Sequence, residues 1–217
     1  HRRLSLDLLI GFGWRAAVLV GLTQLFYQPF SQWYGQGYNE VKLWEGSTTG
    51  LSAYLKIHGL FLVILVPYLL SETRRWMQQT TLDEIRAFAN EIRWATLAVL
   101  ATLLAVAVGL VFAFGARLAL IALPPLVWAG VLMVWPQQTP PRRAVLALMG
   151  LGLTLTLAVE LVVLEGDIGR MNTVFKFYLQ VWLLFSVAAG AALAWVWQQT
   201  EQWHTLSRDV WVGVVGL

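Results

Sequence analysis

Long apolar runs recur along this 217-residue chain, and they limit what it can fold into more than any other feature. A helix of about twenty apolar residues crosses the hydrocarbon core of a bilayer, because each residue adds about 1.5 Å of rise. Hydrophobic residues make up 58% of the chain and charged residues only 12%, which argues against a soluble domain. The sequence therefore predicts an all-α protein, a polytopic transmembrane helical bundle surrounded by the lipid bilayer.

We expect about six complete spans and a truncated seventh. The segment after the second span is too polar to insert, but its apolar residues recur at helical spacing behind a capping-box pattern, Thr81 and Glu84. It predicts one interfacial amphipathic helix, with a solvated connector as the alternative. The expected spans are 8–26, 51–70, 94–114, 118–135, 144–164 and 174–197, with a seventh from 209, and the amphipathic segment is 71–93.

The whole chain, residues 1–217, is expected to form a single transmembrane domain and to be a fragment of a longer membrane protein, whose remaining segments would be its partners. It does not begin with methionine, and its last apolar run is too short to cross a bilayer. There are no cysteines, so disulfides, thiolate metal sites and a cysteine nucleophile are excluded. Nothing in the sequence identifies a cofactor.

The basic residues are scattered among short loops, so the net charge of +3 indicates membrane topology rather than nucleic-acid binding. Counted on alternating sides, nine arginines fall on one side and three basic residues on the other. The positive-inside rule therefore places residues 71–93 in the cytoplasm and the loop 165–173 outside, in a multi-pass protein of the cell membrane.

A short polar segment, residues 165–180, joins two of the apolar runs and concentrates acids, bases and glycines. Asn172 or Thr173 is expected to cap the helix that follows, leaving N–H groups that favour phosphate or carboxylate. Thr173, Lys176 and Gln180 recur at helical spacing and are expected to share a face directed into the bundle or a cavity. The candidate substrate- and anion-binding residues of the segment are Arg170, Asn172, Thr173, Lys176 and Gln180.

A second candidate group lies near the start of the run 51–70. Tyr54 and His58 are four residues apart and therefore share one helical face, whereas Lys56 points elsewhere and lies near the outer surface. We include all three among the candidate substrate-binding residues. No second histidine lies at metal-ligand spacing, so no metal site is predicted, and a hydrogen-bonded packing role is the favoured alternative for His58.

Three acids are candidate catalytic residues. Asp167 is the first choice and Glu165 the second, because a partly exposed carboxylate near Arg170 can accept a proton from a bound hydroxyl group. Glu160 lies deeper in the apolar run. A buried acid is costly unless it is paired or faces water, so a functional role and a structural ion pair remain equal alternatives for Glu160.

Two stretches carry a resemblance to a known family. The motif RMNTVFKFYLQVW at 170–182, with an acid shortly before it, resembles the signature of the Chlor-Arch-YYY integral membrane proteins, the domain of unknown function 2298. The stretch LSAYLKIHGLFL at 51–62 is similar to the opening of an earlier helix in that family, whereas the name-giving run of three tyrosines is absent. The family is distantly similar in architecture to class C glycosyltransferases, polytopic enzymes that use lipid-phosphate sugars, and this analogy of architecture does not by itself name a reaction.

Three functions are consistent with these features. The first is a polyprenyl-phosphate-dependent glycosyltransferase-like enzyme whose site lies on the outer face, with Arg170 and Lys176 holding the phosphate. The second is a transporter of an anionic substrate that binds at the same helix start. The third is a structural membrane subunit in which the charges pair across helices.

Overall fold

A computed structural model describes residues 6–33, 40–81, 115–135, 137–165 and 169–216, with isolated residues between 98 and 113. Within these residues the chain is mostly helical. The helices are α1 (Leu6–Trp33), α2 (Leu51–Gln79), α3 (Ala119–Val134), α4 (Pro140–Leu161), α5 (Arg170–Gln199) and α6 (Thr205–Val215), with a single 3-10 turn, Thr200–Gln202. Two short strands are also present, β1 (Glu40–Leu43) and β2 (Val162–Glu165), and they were not predicted from the sequence within the helical fold.

Three of the described helices are long and apolar enough to cross a membrane, namely α2, α4 and α5. Helix α3 is apolar but shorter, with 16 residues. The expected count of six spans and a truncated seventh is therefore not confirmed. Most of the expected span 94–114 lies outside the described residues.

The polar segment that follows the second run departs from the sequence prediction. Helix α2 does not end near Leu70 but continues to Gln79. This extension is possible because Ser71 and Glu72 are buried against the bundle, where neighbouring side chains satisfy the Glu72 carboxylate. The start of the expected amphipathic helix is thus part of α2, and residues 82–93 lie outside the described part of the chain.

Four helices form the bundle. Helix α4 packs between α3 and α5, α5 packs on α2, and α2 also contacts α3. Helices α4 and α5 pack tightly at Gly152, where an added Cβ would lie only 2.4 Å from the Phe185 ring. A glycine therefore lets these two helices approach, as small residues do in membrane bundles.

Helix α6 is fixed to α2 through a proline. Pro67 lies inside α2 and has no N–H, so the carbonyl of Val63, four residues earlier, loses its partner within the helix. The indole Nε1–H of Trp211 on α6 donates a hydrogen bond of 2.8 Å to this carbonyl. Pro67 thus leaves a free carbonyl on α2, and Trp211 of α6 binds it.

A two-stranded antiparallel ribbon closes one end of the bundle. Strand β1 pairs with β2 in a register that places Glu40 opposite Glu165 and Leu43 opposite Val162. The Trp44 N–H extends the ladder by donating to the carbonyl of Leu161 at 2.8 Å. The segment before α2 is thereby tied to the segment between α4 and α5, and we call this the ribbon end. The opposite end contains the last turns of α2 and the start of α4.

The two ends are expected to lie on opposite sides of the membrane, the ribbon end outside. Because the chain has no cysteine, single cysteines at the exposed positions Glu45 and Gln79 are clean probes. An impermeant thiol reagent should label Glu45→Cys from outside intact cells and Gln79→Cys only after permeabilisation. Labelling of both positions from one side would overturn this arrangement.

Candidate functional site

A buried ion pair lies under the ribbon. Glu160, in the last turn of α4, is fully buried, and Arg170, the first residue of α5, is only 12% exposed. Arg170 Nη2 lies 3.0 Å from Glu160 Oε1, and the backbone N–H of Thr49 donates to Glu160 Oε2 at 2.9 Å. Of the two alternatives for Glu160, the structure therefore contains the ion pair, with both carboxylate oxygens accepting hydrogen bonds.

The surroundings of Arg170 are aromatic and incompletely hydrogen-bonded. Its Cζ lies 5.0 Å from the centre of the Trp44 ring, a cation–π contact. Its Nη2 also lies 3.4 Å from Thr49 Oγ1, which in turn lies 3.4 Å from the Tyr178 hydroxyl. The second terminal nitrogen, Nη1, is buried and has no hydrogen-bond partner among the described residues. Arg170 thus keeps donor capacity that Glu160 does not use.

A surface cavity of about 380 Å³ adjoins the ion pair. It is lined by the loop Gly46–Gly50 and by Gly115 and Arg117, where the chain enters α3. The Thr48 hydroxyl donates to the carbonyl of Gly115 at 2.8 Å, and the φ of 62° at Gly115 is one that glycine adopts readily. Thr49 lines the cavity and also contacts both members of the ion pair.

The loop that lines the cavity is held in place by Trp44. The indole Nε1–H donates to the carbonyl of Ser47 at 2.9 Å. The ring lies over Gly46, where an added Cβ would approach it to 2.3 Å. The Trp44 side chain thus packs against the loop that follows it, and the same ring contacts Arg170.

Tyr54 and His58 lie on the inward face of α2, as their spacing predicted, and both are fully buried. The His58 ring centre is 4.8 Å from that of Tyr54, 4.9 Å from Tyr178 and 5.8 Å from Phe185. The Tyr54 hydroxyl and both His58 nitrogens have no hydrogen-bond partner in the part of the chain described. His58 therefore packs among rings, but without the hydrogen bond that we expected of a packing histidine.

The start of α5 differs from the prediction. The helix begins at Arg170, and its N-cap is Gly169, with φ 79° and ψ −150° and no side-chain cap. Asn172 and Thr173 lie inside the first turn and do not cap the helix. The Thr173 hydroxyl instead accepts a hydrogen bond of 3.1 Å from the N–H of Leu164 in β2.

The prediction that Thr173, Lys176 and Gln180 share an inward face of α5 is also wrong in part. Thr173 is buried, but Lys176 and Gln180 are exposed. The buried positions after Thr173 are Tyr178, Val181 and Phe185. Lys56 on α2 is exposed as well, so neither lysine lies in the buried cluster around Arg170.

Of the two preferred catalytic acids, one is described. Glu165 ends β2, is about half exposed and lies 2.6 Å from Lys42 Nζ. Its hydrogen bond to Lys42, followed by that of Glu40, raises the pKa of the lysine above its ordinary value, so this contribution to the ribbon is complete at neutral pH and is lost only as the pH rises through the raised pKa. Asp167 lies outside the described residues.

A second buried charge cluster lies at the opposite end, and sequence reasoning missed it. Glu72 is fully buried and pairs with Arg142 and, at 3.2 Å, with Arg75. Gln138 Nε2 donates to Glu72 at 2.9 Å. The two arginines also contact tryptophan rings, Arg75 over Trp135 and Arg142 over Trp195. The only available signal was the i, i+3 spacing of Glu72 and Arg75 beyond the apolar run.

Sequence reasoning also missed Thr49 and Trp44 at the ribbon end. Thr49 acts partly through its backbone N–H, for which the side-chain type gives no signal. A tryptophan at position 44 suggests a side chain in the headgroup layer of the membrane. Its contact with Arg170 arises only from the fold.

Comparison with known proteins gives a family. No curated protein and no solved structure matches the chain. The model of an uncharacterized membrane protein family, domain of unknown function 2298, matches residues 6–185. This range includes the two resembling stretches, 51–62 and 170–182, and the residues that form the buried pair at the ribbon end. The chain therefore belongs to this uncharacterized membrane protein family.

Proposed function

We propose that the ribbon end binds the phosphate of a polyprenyl-phosphate sugar and that the chain is part of a glycosyltransferase acting at the outer face of the membrane. The observation that carries this proposal is the state of Arg170. Its guanidinium is almost fully buried, one terminal nitrogen is paired with Glu160, and the other is buried without a partner in the described chain. A buried guanidinium with unused donors is suited to an incoming oxyanion.

The chemistry around Arg170 supports an anion more than a neutral ligand. Arg117 lines the adjoining cavity and adds a second positive charge, whereas Glu160 is the one acid in direct contact with Arg170 among the described residues. The N–H of Thr49 lies in the same site, where it donates to the Glu160 carboxylate. A phosphate entering from the cavity would take the unused Arg170 donor and would be accompanied by a lipid chain at the membrane surface.

The reaction proposed is the transfer of a sugar from the lipid phosphate to an acceptor hydroxyl. Asp167 is the proposed base, because it lies three residues before Arg170 and its carboxylate would accept the hydroxyl proton. Glu165 is the second choice for the base, because its carboxylate already pairs with Lys42 in the ribbon. Lys176 is exposed on α5, and its proposed place is near the headgroup region rather than in the buried cluster.

The transfer reaction can be tested directly in the full-length protein. Asp167→Asn is expected to lower sugar transfer from a polyprenyl-phosphate sugar by about a hundredfold, because general-base assistance is lost. The melting temperature should change little. Glu45→Gln is the matched control, since it removes another exposed acid of the same end and should leave the rate within about twofold. A rate that is equal in both variants would exclude Asp167 as the base.

A structural subunit is the second candidate, and one observation favours it. Both oxygens of Glu160 are already satisfied by Arg170 and Thr49, as in a pair that only joins α4 to α5. In that case the ion pair would be replaceable by neutral residues without loss of any ligand.

A further inference from the structure

The interior of the ribbon end holds polar atoms that the proposed phosphate site does not use. They are the Tyr54 hydroxyl and the two ring nitrogens of His58, all without a hydrogen-bond partner among the described residues. The Thr156 hydroxyl lies close to the Tyr54 hydroxyl, but it donates its own proton to the carbonyl of Leu153 at 2.7 Å and makes no hydrogen bond of good geometry with Tyr54. Buried polar groups are nearly always paired, so three unpaired atoms on one helix face require a partner.

These atoms are continuous with the phosphate site. The His58 ring contacts Tyr178, the Tyr178 hydroxyl contacts Thr49, and Thr49 lines the cavity and contacts Arg170. On the other side, the rings of Phe61 and Phe185 close the interior, and Phe185 is seated on Gly152. The buried polar face is thus linked to the ribbon end through Tyr178 and Thr49.

The chemistry of this face differs from that of the phosphate site. A tyrosine hydroxyl donates and accepts, and a neutral imidazole offers one donor and one acceptor, so the face presents donors and acceptors without a net charge. Three aromatic rings, those of Tyr54, Tyr178 and Phe185, surround His58. Such a surface suits a neutral ring that carries several hydroxyl groups rather than a second anion.

We propose that Tyr54 and His58 form an inner subsite that binds the hydroxyl groups of the sugar, while Arg170 holds the phosphate to which the sugar is attached. The inference rests on the proposed function, because it takes the phosphate at Arg170 as the anchor. For the sugar to enter, Tyr178 and Thr49 must separate, and their contact is weak, at 3.4 Å.

The subsite has a stability signature that a structural role would not have. An unpaired buried hydroxyl destabilises the folded protein, so removing it should not lower stability. We therefore expect Tyr54→Phe to keep or raise the melting temperature, by about 2 °C. If Tyr54 instead makes a needed structural hydrogen bond, the same substitution lowers the melting temperature.

The binding test uses two probes in nanodiscs with the full-length protein: polyprenyl phosphate, and the same lipid phosphate carrying one glucosyl group. Tyr54→Phe and His58→Phe should each weaken binding of the glucosylated lipid roughly tenfold, since each removes hydrogen bonds to the sugar. Binding of unglucosylated polyprenyl phosphate should stay within about twofold. Phe61→Leu is the packing control, because it changes the same ring cluster without removing a polar atom.

The outcomes separate the subsite from the phosphate site. If Tyr54→Phe leaves binding of the glucosylated lipid unchanged, or weakens both lipids equally, the inner subsite is overturned while the phosphate site stands. If the parent protein binds neither lipid, both proposals fall. Should His58→Phe fail to fold, Tyr54→Phe decides alone, since it removes only one oxygen atom.

Discussion

Replacing Glu72 by alanine is expected to destabilise the protein by about 3–5 kcal/mol. Glu72 is fully buried at the opposite end and joins Arg75 of its own helix to Arg142 of α4. Without it, two guanidinium groups that are each only about one-fifth exposed face each other with no anion between them. The loss should be measured as the free energy of unfolding in mixed micelles.

The matched control is Asp209→Ala. Asp209 also pairs with an arginine, Arg208, at 3.1 Å, but both side chains are exposed, so its loss should cost less than about 1 kcal/mol. Glu72→Gln should fall between the two, because the amide keeps an acceptor for Gln138 but has no charge. Equal destabilisation by Glu72→Ala and Asp209→Ala would mean that the buried cluster does not hold α2 to α4.

Helical spacing predicted part of the site well. Tyr54 and His58 are four residues apart on α2, and the structure places both on one buried face with their rings in contact. The spacing of Thr173, Lys176 and Gln180 on α5 was equally regular, yet only Thr173 is buried. Periodicity shows which residues share a stripe, but the direction of the stripe is set by the neighbouring helices.

The ends of the elements were harder to predict than their centres. Helix α2 continues past the apolar run because a charge cluster satisfies Glu72, and such partners come from residues about 66 to 70 positions away. The ribbon was missed because its strands have four residues each and pair across more than a hundred positions. Local patterns carry no information about such pairings.

The second large effect is expected at the ribbon end. Arg170→Gln should weaken binding of polyprenyl phosphate roughly a hundredfold, because a charge-assisted hydrogen bond and a buried positive charge are both lost. The substitution also leaves the fully buried Glu160 without its partner and should destabilise the protein by about 3–5 kcal/mol. Binding of Arg170→Gln alone therefore mixes two causes.

Neutralising Glu160 separates the loss of phosphate binding from the loss of stability. Glu160→Gln keeps an acceptor for the N–H of Thr49 but removes the carboxylate that competes with phosphate for Arg170. This variant is expected to bind polyprenyl phosphate more tightly than the parent protein. A pair that serves only structure gives no such gain, because no anion competes for Arg170.

The affinity of polyprenyl phosphate for Glu160→Gln and for the double variant Glu160→Gln/Arg170→Gln, measured in nanodiscs, tests the phosphate site most directly. Neither variant leaves a buried carboxylate unpaired at this position, so their difference reports Arg170 alone. We expect the double variant to bind roughly a hundredfold more weakly than Glu160→Gln. Equal affinities in the two variants would contradict the assignment of Arg170 as the phosphate-binding residue.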